Sequence, residues 1–117
     1  MNVLKIAKAH KKALMSAPAA RHVVSEWIDP DTTSPIELLI MRPSAADLTE
    51  IKAKKIMAGE SGEMAMTIIR CCYRSDDNER RAFVDTDIKD LLENVDQSVL
   101  KRIYTAIIAA IPDLGQA

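Results

Sequence analysis

A chain of 117 residues with 48% apolar and 28% charged side chains is sized for one domain. It is long enough to bury roughly two-thirds of its unfolded surface without metal or disulfide staples. Aromatics are only 3%, with six Met in compensation, a mixture that favours helices and adaptable apolar surfaces. The net charge of −1 is uneven: Lys5, Lys8, Lys11, Lys12 and Arg21 precede every acid, and the other eleven basic and all seventeen acidic residues follow.

Residues 2–16 place Val3, Ile6, His10, Ala13 and Leu14 at helical spacing with lysines elsewhere. This predicts an uncapped amphipathic helix ending near Pro18, within a basic N-terminal arm over 1–21. The body offers no second basic stripe, so the arm makes a poor nucleic-acid footprint by itself.

His22–Ile28 and Pro35–Arg42 are rich in β-branched and bulky residues, and DPDTTSP between them is dense in turn formers. They predict a long-looped β-hairpin whose second strand is covered on both faces. Ser44 with Asp47 three residues on predicts a helix start close to a capping box, with the helix running to about Ala58 and stopping at Gly59. Ser61-Gly62 is read as a reset. Met64, Ile68, Cys71 and Ala65, Ile69, Cys72 then form two apolar rows, the mark of a central buried helix, which ends at the polar loop 75–81. Ile88, Leu91, Leu92 and Val95 predict an amphipathic helix. Val99, Leu100, Ile103, Ile107, Ala110 and Ile111 predict a last one, up to Pro112 and a loose tail, 113–117. The sum is an α+β fold, mostly α: an N-terminal β-hairpin packed against four to five helices, in a single domain over 22–112.

The segment FVDTDIKDLL, 83–92, holds three aspartates in six residues. Asp85 precedes an apolar-periodic run, where an N-cap accepts an orphan amide. Asp87 lies in the first turn, where the helix dipole favours negative charge, and Asp90 falls on the polar face. A calcium loop would need a glycine turn and more convergent oxygens, so the aspartates are structural. Asp76, Asp77 and Glu79, bracketed by Arg74, Arg80 and Arg81, read as a solvated mixed-charge turn.

His10 and His22 stand at no zinc spacing to Cys71 and Cys72. The adjacent cysteines diverge if helical, and suit small core residues of a reducing compartment. With three glycines in all, no phosphate-cradling loop is present. No catalytic, cofactor-binding or metal residues are assigned, and the chain is expected not to be an enzyme. Its longest apolar run, around Ala106–Ile111, is far too short to span a bilayer. Trp27, the single tryptophan, is a core anchor or a contact aromatic, and Lys52, Lys54 and Lys55 form a solvated face.

The order of segments carries a resemblance. SEW at 25–27 ends a strand, RPSAAD at 42–47 opens a helix, and DDNERRAFVDTDIKDLL at 76–92 makes a turn and a helix start. The spacing Asp76, Phe83, Asp87, Ile88, Leu91 follows the same plan. Over about 20–111 the chain resembles the tail assembly chaperones of long-tailed bacteriophages and prophages (siphovirus type). It differs from their pattern at the missing glycine after Trp27, and at Asn78 and Glu79, where a turn glycine is usual.

The resemblance implies a non-enzymatic protein of the bacterial host cytoplasm, absent from the mature virion. It would bind the tape-measure protein and promote tail tube assembly, and would need no cofactor. A frameshifted longer form would recruit the tail tube protein. Neither nucleic acid nor membrane is an expected partner. Avidity along a rod-like client makes a homo-oligomer expected. Met- and Leu-rich grooves would grip client helices, with Trp27, Met57, Met64, Met66, Ile107 and Ile111 as the candidate partner-binding residues. Two alternatives are a structural connector or tail-completion protein of the virion, and a small nucleic-acid-binding regulator using the basic arm.

Overall fold

The computed structural model describes residues 1–116. In chain order come α1 (Val3–Ser16), β1 (Ala20–Ile28), β2 (Pro35–Ile40), α2 (Ala45–Cys71), β3 (Cys72–Arg74), α3 (Ile88–Asn94) and α4 (Gln97–Ala110). The fold is mostly α, with the N-terminal hairpin β1–β2 at one side of a three-stranded antiparallel sheet of order β1-β2-β3.

The hairpin register pairs Ala20 with Ile40 and Val24 with Ile36, then slips before Ile28 meets Pro35. Leu38, Leu39, Ile40 and Met41 are all buried, so both faces of β2 are covered as their composition predicts. One face joins Val24, the apolar side of α2, Leu91 of α3 and Val99, Leu100, Ile103 and Ile107 of α4 in the main core. The other carries a small satellite cluster of Leu39, Met41 and Tyr73.

The capping box at Ser44 is complete. The Asp47 amide donates to Ser44 Oγ at 3.2 Å, and the Ser44 amide donates to Asp47 Oδ2 at 2.8 Å. α2 departs from helical geometry once, at Gly59 (φ 69°, ψ −155°), a backbone region open essentially to glycine alone. The turn there folds α2 back on itself. Asp47 meets Arg70 and Lys55 meets Glu63, and the Met41 amide reaches the Cys71 carbonyl at 2.8 Å. The two ion pairs sit symmetrically about residue 59, so α2 is two antiparallel arms, 45–58 and 60–71.

Several expectations need correction. Ser61-Gly62 does not reset the chain, because the second arm starts directly after Gly59 and runs through both. The central helix does not reach residue 74. It stops at Cys71, and Cys72–Arg74 leaves it as a third strand that pairs Cys72 with Ile40 and Tyr73 with Leu39. The open edge of β2 supplies ladder bonds that a further helical turn could not. α1 is not uncapped, since Asn2 Oδ1 accepts from the Lys5 amide at 3.0 Å. Over 113–116 the tail is a short 3-10 turn with Leu114 packed on the core rather than loose. Ala117, the last residue of the expected tail, lies outside the described residues.

Candidate functional site

Trp27 and Phe83 lie 56 positions apart in sequence, and the fold stacks them edge to face with ring centroids 6.3 Å apart. The sheet sets up the meeting. β1 carries Trp27 beyond the register slip, while the chain after β3 doubles back antiparallel, the Ala82 amide donating to the Cys72 carbonyl at 2.9 Å and delivering Phe83 beside it. With Ile36, Leu38 and Ala82 the two rings floor an open cleft of about 700 Å³. Asp29, Glu37 and Asp76 stand around this floor with one base, Arg74. That guanidinium is held by Asp76 in a bidentate pair at 2.8 and 2.6 Å, while Glu37 receives Arg21 at 2.6 Å.

Behind the cleft an ion-pair network ties the remaining segments together. Asp47, 5% exposed, accepts from Arg70 at 3.1 Å and from Arg81 at 2.9 Å through one oxygen. Arg70 also grips Asp85 through two bonds, at 3.1 and 2.5 Å. Burial opposes ionisation of Asp47, but the Ser44 amide and hydroxyl, Arg70 and Arg81 outweigh it and hold the carboxyl below its usual range.

Asp85 is therefore not the side-chain N-cap its position suggests. Asp87 lies in the first turn and reaches back, its Oδ2 accepting from the Val84 amide at 2.9 Å, while no side chain caps α3. Asp90 accepts from Asn94 at 2.8 Å. The acidic loop closes on its own arginines, Arg74 with Asp76 and Arg80 with Asp77. Glu26 pairs with Arg102, and burial together with the Arg102 charge keeps His22 below its ordinary pKa. Burial pushes the Cys71 thiol up to about 12 and the Cys72 thiol higher still. No group of three or more His, Cys, Asp and Glu is placed to hold a metal ion among the described residues. No helix among the described residues is long and apolar enough to cross a membrane.

No family model, curated protein or solved structure matches the chain.

The six residues nominated for partner binding separate sharply. Met64, Met66 and Ile107 are buried in the main core and cannot touch a partner. Helical periodicity marks the apolar face of a helix without saying what covers it, and here α2, α4 and the sheet cover one another. Ile111 is half-buried against that core. Trp27 is both anchor and cleft wall. Met57 alone is fully presented, 76% exposed beside Ile56 at the turn of α2.

Residue-by-residue reading missed Phe83, Ile36 and Ala82 as cleft residues. The available signal was Phe83 itself, the sole phenylalanine, spaced from Asp76 and Asp87 by the turn motif. It also missed the exposed apolar side of α1, because an amphipathic helix is ordinarily taken to lie on its own core.

Proposed function

We propose that this protein is a tail assembly chaperone of a long-tailed bacteriophage or prophage. In this reading it is a non-enzymatic binding protein that holds the tape-measure protein soluble in the host cytoplasm while the tail tube assembles around it, and it is left out of the finished particle. The observation that carries the reading is the convergence of its three defining segments. Trp27 of SEW and Phe83 of the turn motif meet to floor the apolar cleft. Asp47 of RPSAAD is joined to Arg81 directly, and through Arg70 to Asp85, both in the turn segment.

The cleft suits the client. A tape measure exposes long apolar helical faces that aggregate if uncovered, and a helix lying in a groove is recognised by anchors three and four residues apart. Two aromatic rings with aliphatic neighbours form such a groove. Several copies along one rod gain from avidity without strong single contacts.

Co-expression with the tape-measure protein encoded beside this chain tests the reading. The client should move from the pellet to the soluble fraction and copurify, and Trp27→Ala should reduce the recovered complex about tenfold, the loss expected when an interface aromatic is truncated. If the client precipitates equally with and without the chain, the reading fails.

A further inference from the structure

α1 touches the body only near its C-terminal end, where Lys11 and Leu14 sit beside Arg42–Ala45, and its first two turns stand open. All its described side chains, Val3 to Leu14, are exposed, including Val3 at 69% and Ile6 at 58%. At 3.6 residues per turn Val3, Ile6, Ala7, His10 and Leu14 share one face, Lys5, Lys8 and Lys12 lie opposite, and Lys11 sits on the flank. A lone helix of 14 residues is marginal in water, so its apolar face calls for cover.

The body carries a matching surface. The Trp27–Phe83 cleft has an apolar floor, and of its three lining acids Asp76 is paired with Arg74 and Glu37 with Arg21, which leaves Asp29 without an opposite charge among the described residues. The arm supplies four lysines and no acid. Beyond residue 21 the chain carries all seventeen acids of the sequence, so arm and body attract at long range as well.

The seating of α1 decides whose arm fills the cleft. α1 joins the sheet at the Ala20 end of β1, where Ala20 pairs with Ile40, and Lys11 and Leu14 sit beside Arg42–Ala45. None of the residues lining the cleft belongs to α1. The Trp27 end of the cleft is about 23 Å from Ala20 along β1, so α1 would have to swing back along the hairpin and give up the seat of Leu14 to fill its own cleft. A neighbour's cleft asks for no such exchange.

We propose that the α1 arm of one copy docks its Val3–Ile6–His10 face into the Trp27–Phe83 cleft of a second copy. Reciprocal exchange closes a two-fold pair, whereas one-way docking builds an open chain of copies. The inference does not rest on the identity of the client, and it concerns this chain alone.

Trp27 is the only tryptophan and lines the cleft, so its emission reports filling directly. Light scattering of the full chain should give a mass above the 12.9 kDa monomer at low salt. That mass should fall toward the monomer at high salt, and in Ile6→Asp at any salt. Ile6→Asp changes only an exposed side chain and leaves the cleft open. A synthetic peptide of residues 1–19 titrated into this variant should shift Trp27 emission to the blue, saturably. Asp76→Lys in the same background should weaken that binding roughly five-fold, as a rim charge that steers and orients. A full chain that is monomeric at low salt overturns the proposal, as does a peptide that leaves Trp27 emission unchanged. So does an Ile6→Asp chain that keeps its oligomeric mass while losing binding to phosphatidylglycerol vesicles, which would assign the arm to lipid.

Discussion

Asp47 concentrates more of this fold's electrostatics than any other side chain. It caps its own helix, and it neutralises two arginines from segments 23 and 34 residues away. With Asp47 removed, Arg81 loses its carboxylate, Arg70 keeps only Asp85 and the capping box opens, so Asp47→Ala should lower unfolding free energy by about 2 kcal/mol, the scale of a lost cap and lost charge-assisted hydrogen bonds. Urea titration at neutral pH measures it. The carboxyl's folded pKa is depressed, so its contribution is complete above about pH 4, near the unfolded value. It is lost as pH falls through the lower folded value. Asp47→Asn should therefore flatten the acid limb of the stability profile, and an unchanged limb would show that other carboxylates govern it. The neighbouring thiols give a second residue-scale expectation. With Cys71 and Cys72 buried and hard to ionise, a thiol reagent should label neither at neutral pH until denaturant is added. The capping box at Ser44 was legible in the sequence, because cap and partner lie three positions apart. The loss of Asp85 as the next cap was not. It depends on Arg70, fifteen positions away, drawing Asp85 into an ion pair.

Among the elements, α2 shows what local signals specify and where they stop. Gly59 was legible as a stop, since a glycine closing an amphipathic run is the ordinary helix terminator. What the sequence did not disclose is that the chain turns straight back, so that Gly62 faces the first arm. A Cβ at Gly62 would lie 2.6 Å from the Lys54 carbonyl and 2.7 Å from the Ala58 Cβ. Gly62→Ala must push the arms apart and should cost about 1–3 kcal/mol, as overpacking does. Gly59→Ala meets nothing within 4 Å, yet its positive φ should cost a similar amount through backbone strain alone. Urea unfolding of both variants measures the two costs. Heating Gly62→Ala should also loosen the Lys55–Glu63 side of the turn first, visible as faster amide exchange there. A Gly59→Ala chain as stable as the parent would refute the turn geometry. β3 was illegible for a different reason. Cys72 extends the row Ala65, Ile69, and only the presence of β2's open edge converts those residues from helix to strand.

At the level of the molecule, the cleft is the proposed seat of two ligands, a tape-measure helix and the neighbour's arm. The hairpin-on-helices architecture was readable from the chain, because its patterns are local and their periods differ. The cleft was not, since its floor draws on residues from β1, β2 and the loop after β3 that no period connects. If both ligands use it, a cleft holding an arm is closed to the client, and the apparent client affinity falls by the fraction of clefts left open. Ile6→Asp should then solubilise the tape measure at a lower molar ratio than the parent chain, by up to the reciprocal of the parent's open fraction. The opposite sign is equally readable. If α1 grips the client directly, its Val3–Ile6 face is part of the binding surface and Ile6→Asp should raise the ratio needed. Measuring soluble tape-measure protein against the concentration of this chain, for parent and variant, therefore assigns the arm to one role. Competition lowers the midpoint, direct grip raises it, and only competition predicts that high salt, by releasing the arm, brings the parent's midpoint toward the variant's.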